Sequence, residues 1–402
     1  MLNAGSTNWS DIPEFRPQRQ VNLTTRIIPD FSSIDQREWD LLNHADNPFL
    51  SHAFLAGLES SGSIAQNMGW QPHHLALFEE GKLAAFAPTY VKSNSHGEFV
   101  FDWAWADAYH RHNIPYYPKL LSAVPYSPVT GPRLLVRQGH SRPGELREKL
   151  VAFALAQCAE NGFSSWHCNF TSQDDQEVLA QSGLLNRHDW QFHWRNQGYQ
   201  SFEEFLGTLK SRKRKNIRRE RRQVSNAGIR FQWKTGLEIS AADLDLVYRC
   251  YTSTFLAYGN HPALNRSFFA TLAEGLGERF LVSIASDDRQ ALAMSLFLVG
   301  GGRLYGRYWG SVSEIPGLHF EAAYYQGIEY CIRNGLEVFE SGAQGEHKIS
   351  RGFTPSKTCS SHYIGNPAFR TAIADFLGRE SVWLREYREQ LSTHDPFRRE
   401  DS

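Results

Sequence analysis

A pattern that ends a helix occurs twice in this chain, once in each half. The segment Cys158-Ala-Glu-Asn-Gly-Phe163 has a counterpart in Cys331-Ile-Arg-Asn-Gly-Leu336. In both, Asn-Gly follows an apolar helical pattern, and glycine is the usual residue that closes a helix. A hairpin, a strand, a long helix and a short strand are predicted in the same order in each half. The repeat predicts a duplicated α/β unit with mixed sheets, and hence a fold of two tandem domains.

A second match helps to place the domain boundaries. Trp103, in a predicted strand at Glu98–Trp105, corresponds in the repeat to Trp309, in a predicted strand at Leu304–Trp309. The two matches differ in offset by about the length of the Tyr- and Pro-rich segment 106–140, so this segment is interpreted as an irregular insertion in the first copy. The predicted organisation is a flexible tail (1–20), a first domain (21–198) and a second domain (199–402) that ends in a helix near 368–391.

Composition excludes several classes of protein. The 402 residues carry a net charge of −1 at pH 7, so any attraction for phosphates must be local. The five cysteines form no CxxC pair, which favours reduced, mostly buried thiols and a cytoplasmic protein. We see no secretion signal and no apolar run long enough to span a bilayer. The histidines lack HExxH or Cys/His ligand spacing, so we expect no metal site.

The stretch 319–355 gathers His, Glu, Lys and Arg between glycines, a composition typical of a substrate-facing turn, although a solvated loop is the alternative. The candidate acid–base residues are His319, Glu321, Glu340 and His347. The candidate substrate-binding residues in the second half are Arg307, Tyr308, Trp309, Tyr325, Gln344, Lys348 and Arg351. His96, Tyr116, Tyr117 and Lys119 of the first half are expected to complete a groove between the two units.

A strongly basic helix is predicted over 202–226. Its segment Leu209–Arg222 has nine basic side chains and one acidic one, and its apolar residues fall on one stripe. One interpretation is a grip for a nucleotide pyrophosphate, a sugar pyrophosphate or an RNA backbone. The other is a solvated face partly neutralised by acidic neighbours. The candidate phosphate-binding residues are Arg212, Arg214, Lys215, Arg218, Arg219 and Arg222.

Several of these segments resemble one bacterial family. The chain is similar to the peptidoglycan biosynthesis/recognition family of predicted N-acyltransferases over roughly residues 30–380. The segments that carry the resemblance are 92–98, 116–119, 130–133, 211–222, 306–310, 318–321, 324–329 and 342–353. That family is similar to the FemABX aminoacyltransferases, which carry two GNAT-like units in one chain, in agreement with the duplication.

The resemblance implies a reaction class. FemABX enzymes move an aminoacyl group from a charged tRNA to an amine of a peptidoglycan precursor, and other GNAT enzymes move acyl groups from coenzyme A. The donor is therefore expected to be acyl-CoA or aminoacyl-tRNA, with no tightly bound cofactor. The GNAT pyrophosphate turn R/Q-x-x-G-x-G/A is replaced here by Gly310-Ser-Val-Ser-Glu-Ile-Pro-Gly317, which weakens the case for coenzyme A.

Acyl transfer to an amine needs a proton acceptor, a stabilised oxyanion and aligned substrates. Glu321 or His319 is the expected base, and the dipole of the helix that begins there is expected to lower the pKa of Glu321. No nucleophile motif is present, so direct transfer without a covalent enzyme intermediate is expected. One alternative stays open: a non-catalytic module that binds peptidoglycan fragments or a partner. A further interpretation, compatible with the transferase, is that the basic helix holds the acceptor stem of a charged tRNA.

Overall fold

The computed structural model describes residues 22–342 and 345–398. Its strands are β1 (Leu23–Ile28), β2 (Trp70–Pro72), β3 (His74–Glu79), β4 (Lys82–Ala87), β5 (Thr89–Lys92), β6 (Lys119–Ser122), β7 (Leu135–Val136), β8 (Ser165–Asn169), β9 (Leu185–Arg195), β10 (Arg230–Thr235), β11 (Phe280–Ser286), β12 (Ala291–Gly300), β13 (Arg303–Ser311), β14 (Val338–Glu340) and β15 (Thr354–Ile364). The tail predicted over 1–20 lies outside the described residues.

Helices alternate with these strands. They are α1 (Gln36–Asp40), α2 (His52–Ser60), α3 (Trp103–Arg111), α4 (Pro143–Asn161), α5 (Gln173–Gln181), α6 (Phe202–Thr208), α7 (Ser211–Asn226), α8 (Ala241–Ala257), α9 (Arg266–Leu276), α10 (Leu318–Phe320), α11 (Gln326–Asn334) and α12 (Pro367–Thr393). A π-helical turn, Glu321–Tyr325, joins α10 to α11.

The repeated helix end is confirmed. Gly162 after α4 and Gly335 after α11 both adopt the left-handed conformation, with φ of 66° and 64°. The amide of Phe163 donates to the Cys158 carbonyl at 3.0 Å, and the amide of Leu336 donates to the Cys331 carbonyl at 2.9 Å. The same cap thus satisfies the last carbonyls of both helices.

Each capped helix connects a pair of parallel strands. β6 is parallel to β8 across α4, and β13 is parallel to β14 across α10–α11. All four strands belong to one sheet of eleven strands, in the order β10-β11-β12-β13-β14-β9-β15-β8-β6-β5-β2, while β1, β3, β4 and β7 form a second sheet. The predicted α/β class with mixed sheets is confirmed.

The two halves exchange strands at the centre of the large sheet. β9, which follows the first parallel pair, lies beside β14 of the second half, and β15 lies beside β8 of the first half. β9 and β15 are themselves antiparallel partners from Leu185 opposite His362 to His193 opposite Thr354. Each half therefore completes its sheet with a strand of the other half.

The match between Trp103 and Trp309 is wrong. Trp103 begins helix α3, whereas Trp309 lies in strand β13. The counterpart of β13 is β6, since both lead through a capped helix into a parallel partner. Segment 106–140 therefore contains a central strand and is not irregular throughout.

Two further elements differ from expectation. The helix predicted over 202–226 is two helices, because the chain breaks at Leu209 and Lys210, where the Lys210 amide donates to the Pro396 carbonyl at 2.8 Å. β15 lies at the centre of the large sheet, where no strand was predicted.

Most of the apolar core spans both halves. One cluster joins α2 and the strands of the first half to α8, α9 and the strands β11–β13 of the second, with Phe54 against Phe268 and Phe49 against Tyr305. All five cysteines are free thiols; Cys359 is half-buried and the other four are buried, as predicted.

A close approach between β13 and α8 gives a stability test. A Cβ atom on Gly310 would lie 2.1 Å from the Cys250 carbonyl oxygen, whereas one on Gly378 of α12 would meet no atom within 4 Å. We expect Gly310→Ala to lower the free energy of unfolding by about 2–3 kcal/mol because the backbones must separate. Gly378→Ala is expected to raise it by about 0.5–1 kcal/mol through helix propensity. Urea unfolding of both variants measures this, and equal effects would refute the packing argument.

Candidate functional site

Ion pairs on the inner face of helix α7 hold it to the rest of the second half. Glu220 accepts from Arg351 at 3.0 Å and also bonds the Tyr325 hydroxyl. Arg221 donates to Glu321 at 3.1 Å and to Glu329 at 2.8 Å. These contacts fix the basic helix against the π-helical turn and against segment 346–351.

Glu321 is one of the residues in these ion pairs. Its side chain is buried, and its carboxylate oxygens accept from Arg221 and, at 2.8 Å, from Gln326. Burial raises the pKa of Glu321, opposed by the positive charge of Arg221. The expectation that the helix dipole would lower this pKa is wrong, because Glu321 lies a full turn inside the helix and out of water. The pairing favours a structural role.

The predicted polar turn lies against the start of α10. Segment Glu346–Arg351 forms a 3-10 turn in which the His347 ring is 6.5 Å from the His319 ring and hydrogen-bonds the Tyr324 hydroxyl at 2.9 Å. The Arg351 guanidinium stacks 3.5 Å from the Phe320 ring. Gln344 lies outside the described residues.

His319 occupies the mouth of a cavity of about 1000 Å³ between the end of β13, the turn to α10 and the C-terminal end of α8. The Trp309 ring, 5.5 Å from that of His319, lines the same cavity. His319 is solvent-exposed, yet partial desolvation of its ring, and then the charges of His347, Arg351 and Lys348, lower its pKa to about 4. At neutral pH it is an uncharged imidazole, and no described residue hydrogen-bonds its ring nitrogens.

Lys348 belongs to the same turn, and its side chain reaches the end of β14. β13 and β14 pair as far as Tyr305 and Glu340, and Ser341 and Gly342 follow directly. The Lys348 ammonium donates to the Gly342 carbonyl at 2.8 Å and has no carboxylate partner among the described residues. It is 2% exposed, and burial lowers its pKa to about 7. The hydroxyl of Ser341 is also buried, with no partner in the described chain.

Three other predicted residues of the second half are committed to packing or to ion pairs. Glu340 is buried against Arg303 at 2.7 Å, and burial raises its pKa. Arg307 lies in a bulge of β13 and donates to the Tyr126 carbonyl of the first half at 2.5 Å. The Tyr308 ring packs 4.8 Å from Tyr251 in the core.

The four residues predicted in the first half lie around a separate, enclosed ion cluster. The Lys119 ammonium is buried against Glu98, at 2.9 Å, and Asp102. Tyr116 donates to Asp102 at 2.5 Å, Tyr117 hydrogen-bonds Ser95, and the exposed His96 ring contacts the Trp103 ring edge-on. None of these contacts involves the turn at 346–351, so the structure does not bring the two groups together.

The ion cluster also bears on metal binding. Glu98, Asp102 and His167 bring ligand atoms within 4.8 Å of one another, a grouping that sequence spacing did not indicate. Lys119 already supplies a positive charge to both carboxylates. The chemistry of this cluster is therefore that of a buried ion pair.

The outer face of α7 presents a row of exposed basic side chains. Arg212, Lys215, Arg219 and Arg222 recur every three or four residues and so share one face of the helix, and none forms an ion pair among the described residues. Arg218, beside them, is paired with Glu203, and Arg214 is half-buried and donates to the Leu209 carbonyl at 3.3 Å. We call these four residues the basic stripe. They extend over about 15 Å, given the rise of an α-helix.

Sequence reasoning missed a second cavity, of about 550 Å³, at the central strand pair. It is lined by β9 and β15, the loop 99–101, Phe170, Glu346 and two aromatic residues of α12. One available signal was Trp383 and Tyr387, four residues apart on a predicted helix. Through Gly345 and Glu346 the predicted turn borders this cavity as well.

In the part of the chain that the structure describes, no helix has both the length and the apolar character that a membrane crossing requires.

Two α/β units, each with a parallel strand pair joined through a capped helix, define a tandem GNAT-like fold. Among solved structures the chain is similar to FemX, with a TM-score of 0.51 and 12% identity over 85% of this chain and 98% of that one. It is also similar to L-PGS from Bacillus licheniformis, with a TM-score of 0.47 and 10% identity over 80% of this chain and 95% of that one. A tandem GNAT protein from the clavulanic acid biosynthesis pathway matches with a TM-score of 0.42 and 10% identity over 86% of this chain and 99% of that one.

The family follows from the sequence. Residues 30–399 match the FemAB-like family, described as peptidoglycan biosynthesis/recognition, and the chain belongs to that family. Comparison with curated proteins gives no match. Membership of this family supports an acyltransferase.

The buried ammonium of Lys348 predicts a pH-dependent stability. Its folded pKa of about 7 lies below the ordinary 10.5, so unfolding takes up a proton between these values and stability rises with pH across that window. Below pH 7 the ammonium stays charged in the folded protein, which then bears the full free-energy cost of burying that charge. Lys348→Met is therefore expected to stabilise the protein by about 2–4 kcal/mol at pH 6 and by much less at pH 9.5.

Urea unfolding at the two pH values measures this difference. The exposed Lys82 is the matched control, since Lys82→Met should change stability little and equally at both pH values. A pH-independent effect of Lys348→Met would contradict the burial of a titrating ammonium.

Proposed function

We propose that this protein transfers an acyl or aminoacyl group directly to the amine of a peptidoglycan precursor or a related metabolite. The observation that carries the proposal is the placement of His319 and Lys348. An uncharged imidazole lines a cavity at the end of β13, and a buried lysine of the neighbouring turn donates to the Gly342 carbonyl after β14. Membership of the FemAB-like family supports the reaction class.

The reaction needs one proton acceptor and one centre of positive charge. The amine, once it has lost a proton, attacks the carbonyl carbon of the donor, and a C–N bond forms. The tetrahedral intermediate collapses with cleavage of the C–O bond of an ester or the C–S bond of a thioester. The nitrogen, positively charged after the attack, gives up a second proton, and the leaving oxygen or sulfur takes one up, so charge and protons balance.

We assign the first task to His319. Its ring is uncharged at neutral pH, lies at the cavity and has free nitrogens among the described contacts, so it can accept the amine proton directly or through water. Glu321 and Glu340 are less suitable because ion pairs already use their carboxylates. His347, bound to the Tyr324 hydroxyl, supports the arrangement from the turn.

The second task suits Lys348. Only Gly342 accepts from its ammonium among the described residues, which leaves donors for the oxyanion or the leaving group. Because its pKa is about 7, it can also return a proton near neutral pH. Arg351 is held by Glu220 and Tyr325, so its proposed part is to position the turn.

The donor is proposed to be anionic. The basic stripe is an exposed group of neighbouring cations on α7 that no described carboxylate neutralises, and it suits the phosphates of either acyl-CoA or aminoacyl-tRNA. The turn at Gly310–Gly317 lacks the GNAT pyrophosphate pattern, which favours the RNA donor. The non-catalytic recognition module is the second candidate, favoured by the commitment of two predicted acid–base carboxylates to ion pairs.

Transfer assays test the proposed reaction. The purified protein is given aminoacyl-tRNA or acyl-CoA with a lysine-containing precursor, and the product is followed by mass spectrometry. We expect His319→Gln and Lys348→Met each to lower kcat about 100-fold, the usual size of an acid–base contribution, and Glu386→Gln on the exposed face of α12 to leave it unchanged. Consumption of no donor by the unaltered protein would favour the recognition module instead.

Salt dependence tests the basic stripe. Arg219→Gln removes an unpaired charge, and we expect it to weaken tRNA binding and to reduce the slope of log K against log salt by about 0.7–0.9, the value for one phosphate contact. Arg218→Gln on the same helix is the matched control, since Arg218 is already paired with Glu203. If both variants bind tRNA as the unaltered protein does, the stripe is not the phosphate site.

A further inference from the structure

The central cavity lies where the large sheet has an unpaired edge. β9 pairs with β15 from Leu185 to His193, but its other neighbour, β14, reaches only His193–Arg195. Before His193, the second edge of β9 therefore has no strand partner among the described residues. α12 runs nearby, since Arg187 is held bidentately by Glu380 and the Trp190 indole donates to the Leu384 carbonyl at 3.1 Å. The cavity is thus a fixed opening in the middle of the fold.

Negative charge dominates its lining. Asp189 and Glu346 both face the cavity, and no described basic residue pairs with either of them. The single arginine of the lining, Arg187, is already neutralised by Glu380 at 2.7 Å. Burial lowers the pKa of His188, which makes it uncharged at neutral pH. Arg388 lies 5.7 Å from the Trp190 ring but outside the lining.

Aromatic rings form the walls. Phe99, Phe101 and Trp383 line the cavity although they are 39%, 54% and 58% exposed, an unusual position for large apolar side chains. The rings of Trp383 and Tyr387 are parallel, with centroids 5.3 Å apart, and the Tyr387 hydroxyl donates to Glu346 at 2.6 Å. Exposed ring faces beside carboxylates are the arrangement that binds ammonium groups through charge and cation–π attraction.

A buried amide without a partner lies next to a residue that lines the cavity. Ser360 lines the cavity and hydrogen-bonds His362 at 2.9 Å, and Asn169, directly opposite Ser360 in the β8–β15 ladder, shares its face of the sheet. Asn169 is 0% exposed, yet neither atom of its carboxamide has a hydrogen-bond partner in the described chain. A buried amide in this state is explained by a bound polar ligand or water.

We infer that this cavity binds a primary alkylammonium group, with Asp189 and Glu346 as counter-charges and the rings of Trp383, Tyr387, Phe99 and Phe101 as walls. The inference goes beyond the proposed function, because this cavity and the one at His319 share no lining residue. Burial raises the pKa of Asp189, and a cation beside it would offset that cost. The acidic cavity and the basic stripe are then separate sites for groups of opposite charge.

Binding to two isosteric probes tests the inference without turnover. Isothermal titration calorimetry compares Nα-acetyl-L-lysine amide with the uncharged Nα-acetyl-L-norleucine amide. We expect the lysine compound to bind at least about 10-fold more tightly, equivalent to about 1.4 kcal/mol. Asp189→Asn should remove this preference, and Trp383→Ala should weaken binding of the lysine compound about 5-fold, while Trp383→Phe, which keeps a ring, should restore most of it.

Glu386→Gln is the matched control, since this carboxylate lies on α12 outside the lining and its removal should change nothing. Circular dichroism confirms that each variant is folded. Equal binding of the two probes, or unchanged discrimination in Asp189→Asn, would overturn the ammonium site. Selective lysine binding without any acyl transfer would support this site and reject the transferase, so the two proposals fail separately.

Discussion

The antiparallel pairing of β9 with β15 is the interaction on which the rest of the structure depends. Each strand lies at the end of its own half and completes the sheet of the other half, so neither parallel pair has its full set of neighbours without the exchange. The exchange also explains the central cavity, because β14 is too short to cover the edge of β9. The place where two copies of one unit are joined is thereby the place where a ligand can enter.

In the second half, some charged side chains form ion pairs and others have no described partner. The inner face of α7 is bound through Glu220 and Arg221, and these pairs fix the position of Arg351 and of the turn around it. The outer face keeps its positive charge, while the central cavity lies among carboxylates. The fold thus presents a positive surface on α7 and, bordering the turn that contains Lys348, a cavity lined by carboxylates.

Structure that depends on neighbouring residues was predictable from the sequence, and structure that depends on contacts between distant residues was not. The helix ends at Asn161 and Asn334 follow from short-range capping chemistry, and they revealed the duplication. β15 was missed because Thr354–Ile364 is polar on both faces and contains Pro355, so it lacks the alternation of a half-buried strand. The ion pair of Glu321 was missed since its partner, Arg221, is 100 residues away in the chain. Lys119 resembled a groove residue, but only the fold shows it enclosed by Glu98 and Asp102.

Native-state hydrogen exchange of the central strands tests most directly whether the exchange unites the two halves. Peptides covering 185–195 and 354–364 are followed by mass spectrometry at increasing denaturant. The structure predicts that both strands exchange only through one shared opening, with the same free energy and the same denaturant dependence, since neither can leave without the other. Separate openings, in which β9 and β15 exchange with different free energies below that of global unfolding, would contradict this account.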